Sequence, residues 1–562
     1  MTAWRPERYA AVQRKDEQIM KIIVVAKDGT GDYTSLQEAV DAIPEAAGRA
    51  PAIVLVRAGE YREKVVVHKD HVRLIGEDRD RTVLVWNGCA NDRYEDGTVK
   101  GTFLSATLTV TGRNVEVENL TIRNDAGDGR VVGQAVAVYA AGDRGIWRNC
   151  RLLACQDTLF CGPVRLPNTL EEIGPRRGHA EESIRVEGGP LTYSRQYFED
   201  CFIRGDVDFI FGPYRCWFER CTLFMNARGG YYTAANTNRA QPYGLVFHRC
   251  LLTGECEPGA GYLGRPWRKY ARTLFLECGM DEHVAPEGFC DWDEDRVVTD
   301  RCGEWRTAGA RADQITRHPA QKRLADEEAA LITLAEVLGG FDRWQPDRRV
   351  PTWFLCGDSI MADYPPEESP MCGWGQMLQP LISEEIHIQN EAVCGRSSRS
   401  FISEGRLDRI APCLRQGDRL VIGFGHNDEK SEDPQRYTSP DGTFPEYLGR
   451  YIDTAREHGA EPVLVTPVVR RLLDDAGNPV PTHGAYPDAI RGLAKARGVK
   501  LVDLEQATAA LLKAEGEEGS KSIFCFVPAG HPNYPDGLQD NSHLRMSGAL
   551  RIAGLFLENG GR

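Results

Sequence analysis

A short motif recurs along the first half of the chain, and it constrains the fold more than any other feature. A polar residue is followed by Asn or Cys and then by an apolar segment. The copies lie 20 to 51 residues apart, at Glu118–Ile122, Asn149–Leu152, Asp200–Ile203, Arg220–Leu223 and Arg249–Leu252. Self-similarity at this period is typical of stacked architectures. Strand-sized repeats with small interior residues predict a solenoid of parallel β-coils, with an irregular β-sandwich as the alternative.

The sequence around these copies agrees with a stack of short strands. From Ile22 to Trp292 it consists of β-rich runs separated by Gly, Asn and Asp. One early helix is predicted at Ser35–Ile43, because Ser35 and Glu38 have the spacing of a capping box. A Pro-, Gly- and charge-rich insert at residues 161–195 should loop out of the stack. Residues 326–338 are helical by composition.

The second half of the sequence has a different pattern. Four apolar strand-like runs begin near Thr352, Leu420, Glu461 and Val499. Helical patterns separate them, at residues 445–457, 488–497 and 505–514. Strands that alternate with helices predict a parallel α/β sheet covered on both faces.

Length and the change of pattern together predict two domains. A chain of 562 residues is too long for one hydrophobic core. We expect a polar leader at 1–20, a β-coil domain at 21–347 and an α/β domain at 350–562. The polar, Pro-flanked segment 345–351 is the boundary.

Composition limits the partners and the compartment. The net charge of −14 argues against nucleic acid and anionic membranes as partners. The chain has no transmembrane run and no signal-type N-terminus, so we expect a cytoplasmic protein unless a signal has been removed. Its 17 Cys include no Cys-x-x-Cys pair, which favours a reducing compartment. No His/Cys cluster has metal-ligand spacing, so neither a metal nor a cofactor is predicted.

Four segments of the β-rich half place polar residues in apolar surroundings. They are Gly133–Val138, Cys155–Leu159, Gly205–Gly212 and Leu263–Trp267. Read as a strand, Gly205–Gly212 would place Asp206 and Asp208 on one face and Val207 and Phe209 on the other. Neighbouring coils would cluster amides, carboxylates, a guanidinium and an indole.

Such a cluster has a chemical logic. Two carboxylates in one site do not ionise together easily, so one can attack while the other donates a proton. Amides stabilise an oxyanion, and a guanidinium keeps its carboxylate ionised. An indole offers a flat face to a sugar ring.

Residues 20–347 resemble the pectin methylesterases in these four segments and in the opening DGTGDYTSLQEAVDAIP. The resemblance implies a right-handed parallel β-helix and hydrolysis of galacturonate methyl esters. It implies these roles: nucleophile Asp208, general acid and base Asp157, oxyanion donors Gln156 and Gln134, orienting residue Arg265, and sugar contact Trp267. We also expect substrate contacts from Phe209 and from the insert cations Arg176 and Arg177. Asp206 replaces a residue that the family usually keeps uncharged, so it either raises the pKa of Asp208 or has no role.

Four blocks in the second half form another constellation. Ser359 follows the first strand, where parallel α/β sheets place their sites. Segments 390–398 and 425–428 contain a glycine and an amide, and Asp540 precedes His543 by three residues. A Ser, a His and an Asp together suggest nucleophilic acyl transfer.

Residues 350–560 resemble the SGNH/GDSL hydrolases, particularly the rhamnogalacturonan acetylesterase branch. The resemblance implies a three-layer, flavodoxin-like α/β domain. It implies Ser359 as nucleophile and His543 as base, oriented by Asp540. The oxyanion hole would consist of the Ser359 and Gly395 backbone N–H groups and the Asn427 side chain.

The sequence therefore predicts a bifunctional pectin esterase. One domain would remove methyl esters and the other acetyl esters, from methylated and acetylated galacturonan or rhamnogalacturonan. The insert suggests a preference for short pectic fragments. The alternatives are an SGNH domain of other acyl specificity, or a pectin-binding β-helix with low turnover. Oligomeric state is not predicted.

Overall fold

The computed structural model describes residues 22–44, 51–163, 194–309, 316–383 and 386–561. The chain divides into two compact units, one built essentially from residues 23–349 and the other from residues 350–562. Within the described ranges, no helix combines the length and apolarity needed to cross a membrane.

The first unit is a parallel β-helix, as predicted. Its described strands form three long parallel sheets of 11, 8 and 6 strands, and in the central coils the chain passes through the three sheets in turn. The longest sheet contains, in order, Ile22–Val25, Ala52–Val56, Val72–Gly76, Glu116–Glu118, Gly145–Arg148, Arg195–Glu199, Arg215–Glu219, Leu245–His248, Thr273–Leu276, Cys302–Trp305 and Lys322–Arg323.

The other two sheets complete the coils. The second contains Gly59–Arg62, Thr82–Trp86, Thr121–Asn124, Arg151–Leu153, Phe202–Gly205, Thr222–Met225, Leu251–Gly254 and Gly279–Met280. The third, which positions the candidate site, contains Val65–Val67, Leu108–Val110, Val138–Ala140, Leu159–Cys161, Ile210–Gly212 and Thr233–Ala235. A small pair, Gly230–Tyr231 and Gly261–Tyr262, lies beside them.

The repeated motif corresponds to a corner of the coil. In the copies of the motif that contain Cys, the residue before the Cys has a left-handed backbone, with φ of 53° at Asp200 and 50° at Arg220. This conformation turns the chain from the first sheet into the second. Each thiol then donates to a carbonyl of an adjacent coil, as Cys221 does to Phe198 O at 3.7 Å. Because the corner recurs in every coil, its sequence also recurs.

Short helices flank the β-helix. The early helix is confirmed as Leu36–Asp41, with Ser35 accepting from the Glu38 N–H. The others are Thr102–Leu104 (3₁₀), Gly129–Val132, Asp326–Ala329 and Leu334–Leu338. The single helix predicted over 326–338 is therefore wrong: it is two, because Thr333 adopts an extended backbone and caps the second.

The second unit has the predicted α/β fold. Its parallel sheet has the order His387–Asn390, Thr352–Gly357, Arg419–Gly423, Glu461–Val465 and Lys500–Val502, which is the flavodoxin-like order 2-1-3-4-5. An antiparallel pair, Phe524–Val527 and Leu538–Leu544, lies outside this sheet. The α-helices are Ser398–Ser403, Arg406–Ile410, Thr443–Glu457, Tyr486–Arg497, Leu504–Ser520 and Met546–Phe556. Single turns occupy Pro366–Glu368, Gly375–Met377, Gln379–Leu381, Ala411–Cys413 and Leu557–Gly561.

Helices cover both faces of this sheet. On one face, Leu355 and Val463 pack with Leu504 and Phe556 of the two C-terminal α-helices. On the other, the helix Thr443–Glu457 contacts the strands Arg419–Gly423 and Glu461–Val465. The strand Thr352–Gly357 is buried along its whole length, and Ser359 lies just beyond its carboxyl end.

Candidate active sites

Two aspartates of the β-helix lie side by side at corresponding corners of adjacent coils. Leu159 pairs with Ile210 in the third sheet, and Asp157 and Asp208 each precede their strand by two residues. Both have left-handed backbones, with φ of 64° and 53°. Both are almost fully buried, at 8% and 6% exposure. The β-stack thus places two carboxylates from residues 51 positions apart at one corner.

The predicted single strand through Gly205–Gly212 is wrong. One strand ends at Gly205 and the next begins at Ile210. The left-handed turn at Asp208 lies between them, and it resets the alternation of side chains. Asp206 and Asp208 therefore do not share a strand face.

Arg265 binds Asp208 through a two-pronged ion pair. Its Nε donates to Asp208 Oδ1 at 2.9 Å, and its Nη2 donates to Oδ2 at 2.7 Å. The guanidinium lies between two aromatic rings, 4.0 Å from the centroid of Tyr231 and 3.8 Å from that of Trp292. The sequence had pointed to neither ring, because both come from other coils. This sandwich fixes the guanidinium and, through it, the carboxylate.

The surroundings of the two aspartates separate their pKa values. Burial and the Asp208 charge raise the pKa of Asp157 well above its ordinary value. Burial also raises the pKa of Asp208, but the hydrogen bonds and charge of Arg265 oppose that rise. Of the two carboxyls, Asp208 therefore ionises more readily and Asp157 holds a proton more readily.

Both predicted amides lie next to this pair. The Gln156 side chain hydrogen-bonds to Asp157, and it packs so closely on Gly129 that a Cβ there would be 2.8 Å from Gln156 Oε1. Gln134 belongs to the adjacent coil, where the Ala135 N–H donates to Gln156 O at 3.1 Å. Its side chain is half-buried.

Trp267 and Phe209 lie on opposite sides of the coil wall. Trp267 packs edge-on against Phe211, with ring centroids 5.8 Å apart, in the aromatic cluster outside the third sheet. Phe209 points into the coil, packs on Tyr232 and is 0% exposed. The expectation that Phe209 contacts substrate is therefore wrong, because the turn at Asp208 directs its ring inward. Arg176 and Arg177 lie outside the described residues.

Asp206 belongs to a neighbouring polar cluster. Its carboxylate accepts from the Val207 N–H at 2.7 Å and from Asn226 at 3.5 Å, and Arg228 lies 3.7 Å away. Its charge contributes to the raised pKa of Asp157. Arg228 is a cation beside the site that the sequence analysis had not singled out.

The second unit holds a triad of hydrogen-bonded side chains. His543 Nε2 lies 3.0 Å from Ser359 Oγ, and His543 Nδ1 lies 2.7 Å from Asp540 Oδ2. Burial raises the pKa of Asp540, but the hydrogen bond and charge of His543 outweigh this and leave it below its ordinary value.

A local irregularity of the antiparallel strand pair brings Asp540 and His543 together. The register of the pair shifts between Phe524 and Phe526, opposite the segment that carries Asp540 and His543. Asp540 Oδ1 accepts the backbone N–H groups of Ser542 and His543 at 2.7 and 2.9 Å. This turn-like bulge places the Asp540 carboxylate against the His543 ring, whose other nitrogen contacts Ser359.

The predicted oxyanion donors line the same cavity as Ser359 and His543. This cavity has a volume of about 810 Å³. Gly395, with φ of 78°, and Asn427 lie in its wall. Buried Asp428 ties their two loops together, since its Oδ1 accepts from Ser398 Oγ at 2.5 Å and from Thr438 Oγ1 at 2.8 Å. Asp428 thus links the two loops that carry the predicted oxyanion donors Gly395 and Asn427.

The two sites define a class of protein. A carboxylate pair with an arginine in one unit, and a Ser–His–Asp triad with an adjoining amide in the other, are the groups of carboxylic ester hydrolases. The Pectinesterase family matches residues 22–166 and 191–340, and the GDSL-like Lipase/Acylhydrolase family matches residues 355–534. The chain therefore belongs to the pectinesterase family and carries a GDSL-type hydrolase domain after the β-helix.

Curated relatives match each half separately. "Rhamnogalacturonan acetylesterase RhgT" of Bacillus subtilis (strain 168) is 48% identical over 206 residues, which are 36% of this chain and 87% of that protein. "Pectinesterase 31" of Arabidopsis thaliana is 30% identical over 316 residues, covering 55% of this chain and 89% of that protein. The chain spans only 54% of "Probable pectinesterase/pectinesterase inhibitor 23" of the same plant, at 31% identity over 58% of this chain.

Solved structures match the β-helix. A pectin methylesterase in complex with "hexasaccharide VII" is 27% identical, with a TM-score of 0.47, over 58% of this chain and 98% of that one. The carrot pectin methylesterase is 28% identical, with a TM-score of 0.46, over 57% of this chain and 93% of that one.

Proposed function

We propose that this chain is a bifunctional pectin esterase, in which the β-helix hydrolyses galacturonate methyl esters and the α/β domain hydrolyses acetyl esters of pectic saccharides. The ion pair of Arg265 with Asp208, beside a protonated Asp157, carries the first assignment. The Ser359–His543–Asp540 triad carries the second. Two relatives, one named as a pectinesterase and the other as a rhamnogalacturonan acetylesterase, support these substrates.

In the first reaction, an Asp208 oxygen attacks the carbonyl carbon of the methyl ester. Gln156 and Gln134 donate hydrogen bonds to the oxyanion of the tetrahedral intermediate. When the C–O bond to the methoxy group breaks, Asp157 gives its proton to the leaving oxygen, and methanol departs. Asp157, now ionised, takes a proton from water, which attacks the acyl-enzyme and restores Asp208. Trp267, whose side chain is half-buried, contacts a sugar ring of the substrate.

In the second reaction, Ser359 Oγ attacks the acetyl carbonyl while His543 Nε2 takes the hydroxyl proton. Asp540 stabilises the imidazolium. The Ser359 and Gly395 backbone N–H groups and the Asn427 amide bind the oxyanion. His543 then gives its proton to the departing oxygen of the sugar, which leaves as a hydroxyl. In the next step His543 deprotonates a water molecule, which attacks the acetyl-serine and releases acetate.

Product release from one substrate tests both assignments. A methylated and acetylated oligogalacturonide should yield methanol and acetate with the wild-type chain. Asp208→Ala should remove methanol release alone, and Ser359→Ala should remove acetate release alone. In each variant, the product of the unmutated domain shows that the chain is folded. Binding without methanol release would favour a pectin-binding β-helix. Cleavage of other acyl esters in preference to acetyl would reassign the second domain.

We also propose that the insert favours short pectic fragments. The family match breaks between residues 166 and 191, so this segment is an addition to the common β-helix. It carries Arg176 and Arg177, cations suited to substrate carboxylates. Methanol release should be faster from methylated di- and trisaccharides than from polymer at equal ester concentration, and equal rates would contradict the proposal.

A further inference from the structure

The amide of Asn427 is held at both ends. Its Oδ1 accepts from Lys430 Nζ at 2.8 Å, and its Nδ2 donates to the Arg396 carbonyl at 3.1 Å. If the Asn427 amide were flipped, its oxygen would face the Arg396 carbonyl and its NH₂ group would face the Lys430 ammonium. Both contacts would be repulsive. Because the Arg396 carbonyl uses only one of the two Nδ2 hydrogens, the second can serve an oxyanion.

Lys430 is a costly residue in this position. It is half-buried in the wall of the cavity that contains Ser359. None of the described carboxylates forms an ion pair with its ammonium, whose hydrogen bond goes to Asn427. Burial, with the charges of Arg436 and Arg470, lowers its pKa. The charges of Asp358 and Glu432 oppose this lowering only in part. A partly desolvated cation that forms no ion pair is unfavourable for stability alone, so its position calls for a functional reason.

We propose that Lys430 is a positioning residue of the esterase site, which orients the Asn427 amide and polarises it toward the oxyanion. The inference rests on the proposed function of Ser359. A positive charge at Oδ1 draws electron density from the amide and strengthens the N–H donors at Nδ2. Negative charge develops on the substrate oxygen only in the tetrahedral intermediate, so this contribution acts on the rate of the chemical step rather than on ground-state binding.

A neutral substrate tests this role without interference from substrate charge. Full-length wild type, Lys430→Met, Lys430→Arg, Asn427→Ala and the double variant Asn427→Ala/Lys430→Met are compared on 4-nitrophenyl acetate. Loss of one oxyanion donor costs about 10²–10³ in kcat. We expect Lys430→Met to lose about tenfold or more in kcat, but no more than the loss of the whole Asn427 donor would cost, with KM unchanged. Lys430→Arg should recover part of the loss, because it keeps a charged donor.

The double variant is the decisive measurement. If Lys430 acts through Asn427, Lys430→Met should change kcat by less than about twofold once Asn427 is already Ala. Lys521→Met, which removes an exposed lysine paired with Glu518, is the matched control and should behave as wild type. Methanol release by the β-helix and the melting temperature report that each variant is folded.

Three results would overturn the inference. One is an unchanged kcat in Lys430→Met, and another is an equal loss with and without Asn427. The third is a normal kcat on the neutral ester with a raised KM on uronate-bearing esters, which would make Lys430 a carboxylate-binding residue. If Ser359→Ala cleaved the neutral ester as fast as wild type, the proposed esterase function would itself fail, and this inference with it.

Discussion

Replacing Arg265 with Gln should move the acidic limb of the methylesterase pH profile to higher pH. Arg265 makes two charged hydrogen bonds to Asp208, at 2.9 and 2.7 Å, and Asp208 is 6% exposed. A hydrogen bond to a charged group contributes about 1.5–3 kcal/mol. Since one pKa unit corresponds to about 1.4 kcal/mol, the loss of even one of these two bonds should raise the pKa of Asp208 by about one to two units.

The direction follows from the role of Asp208. The nucleophile must be ionised, so activity is lost as pH falls through its pKa. Burial raises this pKa, and Arg265 opposes the rise. Without Arg265 the carboxyl remains protonated to higher pH, and kcat/KM should recover only when the pH is raised by the same one to two units.

The assay is methanol release between pH 4 and 9, with acetate release by the same molecule as the internal control. Arg296→Gln is the matched variant: Arg296 also lies over Trp292, at 4.7 Å, but pairs with Asp293 instead of Asp208. It should leave the acidic limb in place. An acidic limb in Arg265→Gln that coincides with that of wild type would refute the reasoning, because ionisation of Asp208 would then not depend on Arg265.

Three further predictions follow from the same geometry. Asp206→Asn should lower the pKa of Asp157, whose rise the Asp206 charge supports, so the alkaline limb of methanol release should move to lower pH; an unmoved limb would contradict this. Phe209→Ala should cost about 3–5 kcal/mol of stability, seen in thermal or denaturant melts, with KM unchanged, since the ring is 0% exposed. A raised KM with normal stability would restore its substrate role. Asp540→Asn should reduce acetate release by about 10⁴ and leave methanol release unchanged, whereas a loss under tenfold would mean that His543 is oriented by another group.

The stack could be predicted because its physical cause is local and repeated. Each coil needs a corner, and several successive corners combine a left-handed polar residue with a small interior thiol, as at Asp200–Cys201. A structural feature that occurs only once in the chain has no such repeated signal and is harder to predict. The helix predicted over residues 326–338 splits because extended Thr333 caps a new one, a choice that composition does not reveal.

The candidate sites show the same division. Sequence motifs pointed to the residues that form the Arg265–Asp208 pair and the Ser359–His543–Asp540 triad. They did not indicate the rings around Arg265, because Tyr231 and Trp292 reach it from other coils. The prediction that Phe209 contacts substrate was wrong, because it assumed strand alternation across a corner where the backbone is left-handed.

By itself, the sequence determined which chemistry the chain can perform: two carboxylates with an arginine, and a serine with a histidine and an aspartate. It also determined the coil, through a corner motif that recurs along the stack. Only the tertiary structure decided the surroundings of each carboxyl group, and with them which of the two ionises more readily. That choice depends on Arg265 lying within 2.9 Å of Asp208 while Asp157 lies buried beside it, and coil stacking sets both relations. The free energy of ionisation depends on such distances and on burial, which residue identities alone do not specify.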